Sequence, residues 1–218
     1  MSGGTGQLAA LALAWTVYFT LHSALASLAA KRFVAARRPD LMPGYRLAYN
    51  ILALALLLPL LAGTLAWPGP MLWEWRGPWQ WLANGLAGLA ALGFLWTLRD
   101  YDGKEFIGLR QWRAGERRVE DQEAFHLSPL HHFVRHPWYA LGLVLLWTRD
   151  MDAARLVAAA LATVYVVVGL RFEERRLVTL HGAAYRRYQA RVPALLPSPR
   201  RWLRPADAEA LRREARKD

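Results

Sequence analysis

Apolar residues gather along this chain in long uncharged runs separated by strongly basic connections. Residues 8–30 (LAALALAWTVYFTLHSALASLAA) carry no charge beyond a titratable His22, and residues 47–67 (LAYNILALALLLPLLAGTLAW) and 79–98 (WQWLANGLAGLAALGFLWTL) carry none. Helices of about 20 apolar residues match a hydrocarbon core of ~30 Å, so each run is long enough to span. No Lys or Arg precedes the first run and four basic residues follow it, the reverse of a signal peptide, so it reads as a retained helix. After a polar stretch at 99–137 come Trp138–Thr148 and Ala153–Leu170, divided by the RDMD of 149–152. As a helix the first of these reaches only ~16 Å. It is either a tilted span lengthened upstream through His131–Pro137 or one arm of a hairpin. The pattern predicts an all-α integral membrane helical bundle of about five transmembrane helices, the last two forming a hairpin, with a cytoplasmic C-terminal helical segment.

Beyond the last span, Phe172, Leu177, Val178, Leu180, Tyr185 and Tyr188 interleave with charge. Gly182 predicts a helix break, and a shorter interfacial helix should end at Pro193 and Pro197. Residues 1–199 read as one membrane domain and residues 200–218 as a basic, solvated helical tail, in which Glu209 and Arg213 stand at i,i+4.

Charge orients the chain. Lys and Arg number five in residues 31–46, seven in 99–137 and thirteen in 171–218, against one in 67–78 and two in 149–155. The positive-inside rule puts the N-terminus outside and the basic connections and C-terminus in the cytoplasm. The basic residues behind the net charge of +11 flank apolar spans, which argues for a bilayer partner and against nucleic acid. The absence of cysteine excludes disulfides, thiolate metal sites and a cysteine nucleophile.

Three clusters can carry chemistry. Arg135, His136 and Tyr139 are either interface anchors or, because Pro137 starts a helix and keeps His136 out of it, groups at a helix N-terminus suited to an anion. Glu173 and Glu174 are either locally paired or hold a cationic ligand group. His22 is ionisable within a span, which makes it a functional candidate.

Taken together, Arg135-His136-Pro137-x-Tyr139, Glu173-Glu174, Leu177, Gly182, Tyr185, Tyr188, Val192-Pro193 and Pro197 resemble the C-terminal signature of integral-membrane methyltransferases, a group that includes the isoprenylcysteine carboxyl and phospholipid methyltransferases. The likeness covers residues 130–197. Three patches, LHSALASLAAKR (21–32), EFIGLRQW (105–112) and VPALLP (192–197), resemble the methanethiol S-methyltransferases and NnrU-like proteins, and YRLAYN (45–50) is similar to the latter. The resemblance implies S-adenosylmethionine as methyl donor, bound on the cytoplasmic side by residues 130–197. It places Arg135, His136, Tyr139, Arg171, Glu173, Glu174, Tyr185 and Tyr188 at the cofactor, with His136 and Tyr139 at its amino-acid end and a glutamate near its ammonium. The acceptor it implies is a small or lipophilic thiol. A thiol pKa of roughly 8.5 leaves a proton to remove, for which His22, Arg110, Gln111 and His131, beside His126 and His132, are the candidates.

The pattern RHPxYxG departs here to RHPWYALG, with Leu141 at the glycine position and Gly142 one place later. Either the helix start shifts by one residue or the backbone's approach to the cofactor changes. Alternative readings are a lipid or isoprenyl acceptor, an NADPH-dependent membrane reductase, and an NnrU-like accessory protein of nitrogen-oxide metabolism holding haem through two histidines.

Overall fold

The computed structural model describes residues 2–100, 102–117, 119, 125 and 127–215. Helices α1 (Ser2–Ala26), α2 (Leu28–Arg37), α3 (Met42–Ala66), α4 (Pro78–Thr97), α5 (Gly103–Phe106), α6 (Leu109–Ala114), α7 (Pro137–Trp147), α8 (Ala153–Arg191) and α9 (Pro205–Glu214) dominate, with two short strands, β1 (Met71–Trp73) and β2 (Met151–Asp152). Among the described residues, four helices are long and apolar enough to cross a membrane: Gly4–Ala26, Pro39–Ala66, Pro78–Asp100 and Ala153–Arg191. Leucines such as Leu13, Leu54 and Leu89 stay exposed along them, the arrangement that a bilayer solvates and water does not. The chain is an all-α integral membrane bundle, as its apolar runs predict.

The fourth apolar segment stays short. Its helix α7 has 11 residues, and upstream lies a separate 3-10 turn, Pro129–His132, so the helix is not lengthened in that direction. The cause is local: a proline clashes with a helical residue before it, and His136 sits at φ −125°, ψ 72°.

The chain divides into two compact units: residues Met1–Glu74, Tyr101–Gln122 and Asp150–Ala162, and residues Trp75–Asp100, Glu123–Arg149 and Thr163–Asp218. In the first unit, Leu11, Trp15 and Tyr18 of α1 pack with Ala154, flanked by Leu57 and Leu60 of α3. The Trp15 indole donates to the Thr64 hydroxyl at 3.2 Å, so the polar atoms in this apolar contact are matched. Strand β1 pairs antiparallel with β2, and the amides of Ala153 and Ala154 donate to Pro70 and Pro68. This pairing ties together the two connections that carry the fewest basic residues, as an alternating topology requires. Gly108 lets α6 close on α3: its φ is +89°, and a Cβ there would stand 2.7 Å from the Leu47 amide nitrogen.

In the second unit, α4 buries Ala83, Ala87, Ala90 and Thr97, and the Trp138 indole of α7 donates to the Thr97 hydroxyl at 2.9 Å. The Leu141 methyls lie 3.1 and 3.2 Å from where a Cβ on Gly93 would be. The leucine that replaces the expected glycine therefore has its own recess, supplied by the missing side chain of α4. The helix still begins at Pro137, so no one-residue shift of its start occurs.

Helix α8 breaks where Gly182 predicts: φ 46° and ψ −124° interrupt an otherwise continuous helical path. The solvated tail is corrected. Leu203, Ala208 and Leu211 are buried in one cluster with Leu127, Tyr185, Tyr188 and Val192. The Leu203 amide donates to the His132 carbonyl at 2.8 Å, and Arg212 donates to the Leu127 carbonyl at 2.5 Å. The expected surface pair does form, Arg213 to Glu209 at 3.0 Å, but on the outer face of a packed helix.

Candidate functional site

The second unit assembles most of the candidates around the start of α7 and the middle of α8. Because Pro137 starts α7, Arg135 and His136 run extended beside the segment after α8, with their amides donating to the carbonyls of Pro193 at 2.9 Å and Ala194 at 3.0 Å. This fixes the backbone from which both side chains reach α8.

Arg135 engages every guanidinium nitrogen inside the protein. Its Nε donates to Glu174 Oε1 at 2.6 Å and its Nη2 stands 2.5 Å from the same oxygen. Its Nη1 donates to the carbonyl of Gln189 at 3.1 Å and to that of Val192. Arg135 and Glu174 are only 10% and 15% exposed, so each charge depends on the other for compensation. Glu174 is saturated as well: Oε1 also faces His136 Nε2 at 3.3 Å, and Oε2 accepts from the Gln189 amide at 3.1 Å. The pair works as a clamp between the His136 segment and both arms of α8.

Glu173 is different. It is 40% exposed, accepts the Tyr139 hydroxyl at 2.8 Å, and lies 3.6 Å from His136 Nδ1. His136 is buried and stacked on the Tyr139 ring, with centroids 5.5 Å apart and planes 11° apart. An accessible carboxylate oriented by a phenol and backed by an imidazole fits a cationic ligand group better than the occupied Glu174 does. Arg171 is exposed and lies outside this network among the described contacts.

Tyr185 and Tyr188 are buried, and they pack edge to face with each other and with Phe125. The Tyr188 hydroxyl donates to the His131 carbonyl at 2.7 Å. His131 itself closes a capping box: its Nδ1 lies 3.1 Å from the Ser128 amide and 2.8 Å from the Ser128 hydroxyl. Its imidazole thus has a local structural duty. His126 lies outside the described residues.

The other candidates belong to the first unit. His22 Nε2 is 2.8 Å from the Tyr49 hydroxyl, and the two rings pack at 5.1 Å. Arg110 is exposed and faces Glu105 at 3.4 Å and Asp102 at 3.6 Å. Gln111 donates to the Glu105 carbonyl at 3.3 Å, while its Oε1 is buried with no hydrogen-bond partner among the described residues.

Sequence reasoning missed Gln189, Tyr49 and His181. Gln189 lies fifteen residues beyond Glu174, and nothing local signals that the break at Gly182 folds it back onto that carboxylate. Beside the His136 segment lies a cavity of about 520 Å³ with an apolar lining that includes Val134, Pro137, Leu141, Val144 and Leu196.

Comparison with known proteins finds one name repeatedly. The chain is 33% identical over 187 residues to methanethiol S-methyltransferase 2 of Bradyrhizobium diazoefficiens, covering 85% of this chain and 71% of that protein. It is 32% identical over 138 residues to methanethiol S-methyltransferase of Crocosphaera subtropica, covering 57% of this chain and 54% of the relative. It is 39% identical over 102 residues to the Mycobacterium tuberculosis protein of the same name, covering 44% and 41%. The chain thus spans most of the first relative and about half of the other two. No protein-family model and no solved structure matches it.

Proposed function

This chain belongs to the methanethiol S-methyltransferase family, and from that premise we propose that it moves a methyl group from S-adenosylmethionine to the sulfur of a small thiol at the cytoplasmic face of a bacterial membrane. The observation that carries the reading is the half-exposed Glu173, held by Tyr139 and backed by the buried His136. The chemistry supplied by the bound donor is an electrophilic methyl on a sulfonium, displaced in line by the acceptor sulfur to give a thioether and S-adenosylhomocysteine.

The protein's part is binding, alignment and environment. Glu173 receives the donor's ammonium, because Glu174 already has Arg135, His136 and Gln189 as partners. His136 and Tyr139 fix the direction of that carboxylate. Arg135 acts one step removed, by holding α8 against the His136 segment. Tyr185 and Tyr188 supply the apolar wall that keeps water from the pocket. A thiolate meeting a sulfonium neutralises charge, so a site poor in water suits the reaction once the proton has left. His22, paired with Tyr49, and Arg110, Gln111 and His131 are the candidates for easing that loss. Basic connections on one side of the membrane support the cytoplasmic placement.

Calorimetry on the detergent-purified protein tests the donor assignment. S-adenosylhomocysteine binds in the micromolar range to the parent protein, and His136→Ala and Glu173→Gln each weaken it about tenfold, the loss of one charge-assisted contact. Uptake of NADPH or haem in its place contradicts the reading. The size of the apolar cavity favours a second acceptor class, a lipophilic thiol or lipid. A series of alkanethiols separates the two, since rates rise with chain length only for a lipophilic acceptor.

A further inference from the structure

His181 is 7% exposed, and its Nε2 has no hydrogen-bond partner among the described residues. A buried polar atom left unpaired costs free energy that a phenylalanine of similar size avoids. The residue stands at the end of the first arm of α8, directly before the Gly182 break. Seven residues separate it from Glu174, two turns of helix, so both occupy one face of α8 about 10 Å apart along its axis. Leu177 and Val178 lie between them on that face, half-buried against the tyrosine cluster. The Phe125 ring lies 5.3 Å from the imidazole, giving it an aromatic flank. The first arm of α8 thus offers Glu174 on this face with Glu173 beside it at one end, an apolar middle, and at the other end a hydrogen-bonding atom unpaired among the described residues, next to an aromatic ring.

That order matches the parts of an adenosyl amino acid: an ammonium, a thioether or sulfonium, then a nucleoside rich in donors and acceptors. We infer that His181 binds the nucleoside portion of the methyl donor, its Nε2 hydrogen-bonding to the adenosyl group while Glu173 holds the ammonium. A neutral imidazole nitrogen can donate or accept, so either tautomer pairs with adenine or a ribose hydroxyl. The inference rests on the donor reading above.

Two ligands and three variants test it by calorimetry: S-adenosylhomocysteine, and 5′-methylthioadenosine, which keeps the nucleoside and lacks the amino-acid end. His181→Phe weakens both about tenfold, and His181→Gln, which keeps a polar end, falls between it and the parent. Glu173→Gln weakens S-adenosylhomocysteine and leaves 5′-methylthioadenosine unchanged. The thermal midpoint of His181→Phe without ligand equals or exceeds the parent's, which separates a binding role from a structural one. Parent-like affinity of His181→Phe for both ligands overturns the inference while leaving the donor reading intact. A lowered ligand-free midpoint accompanying the loss of affinity overturns it as well. Failure of the parent protein to bind S-adenosylhomocysteine overturns both.

Discussion

Arg135→Ala lowers the thermal midpoint of the purified protein by roughly 10 °C. The substitution removes three hydrogen-bonding contacts at once, to Glu174, Gln189 and Val192, and leaves the Glu174 carboxylate 15% exposed without its cation. Breaking a buried pair from one side costs about 3–5 kcal/mol, most of it the uncompensated charge that stays behind. Arg135→Lys recovers little, because an ammonium cannot reach a carboxylate and two carbonyls in three fixed directions. Removing both partners in Arg135→Met/Glu174→Leu costs less than the sum of the single changes, since no lone charge remains. Differential scanning fluorimetry on Arg135→Ala, Arg135→Lys, the double variant and its two single parents, Arg135→Met and Glu174→Leu, measures these terms. Additive losses across the cycle would show that the two side chains act independently and that no clamp exists.

Gly108→Ala is the second large loss, roughly 3–5 kcal/mol from main-chain overlap and left-handed strain together. A Cβ at Gly108 meets the Leu47 amide nitrogen at 2.7 Å and the Arg46 carbonyl carbon at 3.0 Å, both main-chain atoms of α3 that cannot rotate away. The φ of +89° adds strain for any L side chain. Gly115 is the matched control: its φ of +64° is also left-handed, but a Cβ there meets nothing within 4 Å. Gly115→Ala should therefore cost only the conformational part, about 1–2 kcal/mol. Thermal midpoints and protease cutting within residues 103–114 report the difference. Equal behaviour of the two alanine variants would mean that α6 does not bear on α3 as described. The packing matters beyond stability because α6 carries Arg110 and Gln111.

The spans were legible because apolar runs of this length have few other uses, and the start of α7 because a proline constrains the residue before it. Gly182 announced its break for a similar reason: a main-chain state open to glycine leaves a mark in the sequence. What the sequence concealed were partnerships between distant segments. Nothing near Leu141 shows that Gly93, 48 residues earlier, makes room for it. Nothing near Arg135 shows that Gln189 and Val192 turn their carbonyls toward it, so its part in tying these segments together was hidden. The charge of α9 suggested solvent, yet Ala208 and Leu211, three residues apart on one face, are what dock it. The two glutamates looked equivalent as neighbours in sequence. Their environments separate them, one saturated by Arg135 and Gln189 and the other open beside Tyr139.

Methyl transfer itself is the most direct measurement. Purified protein in detergent is given S-adenosylmethionine with a labelled methyl group and methanethiol, and dimethyl sulfide in the headspace is measured against S-adenosylhomocysteine in solution. The account predicts labelled dimethyl sulfide and S-adenosylhomocysteine in equal amounts, with both falling together in Glu173→Gln. Protein that binds the donor but leaves the thiol unmethylated, or that places the label on lipid, would contradict it.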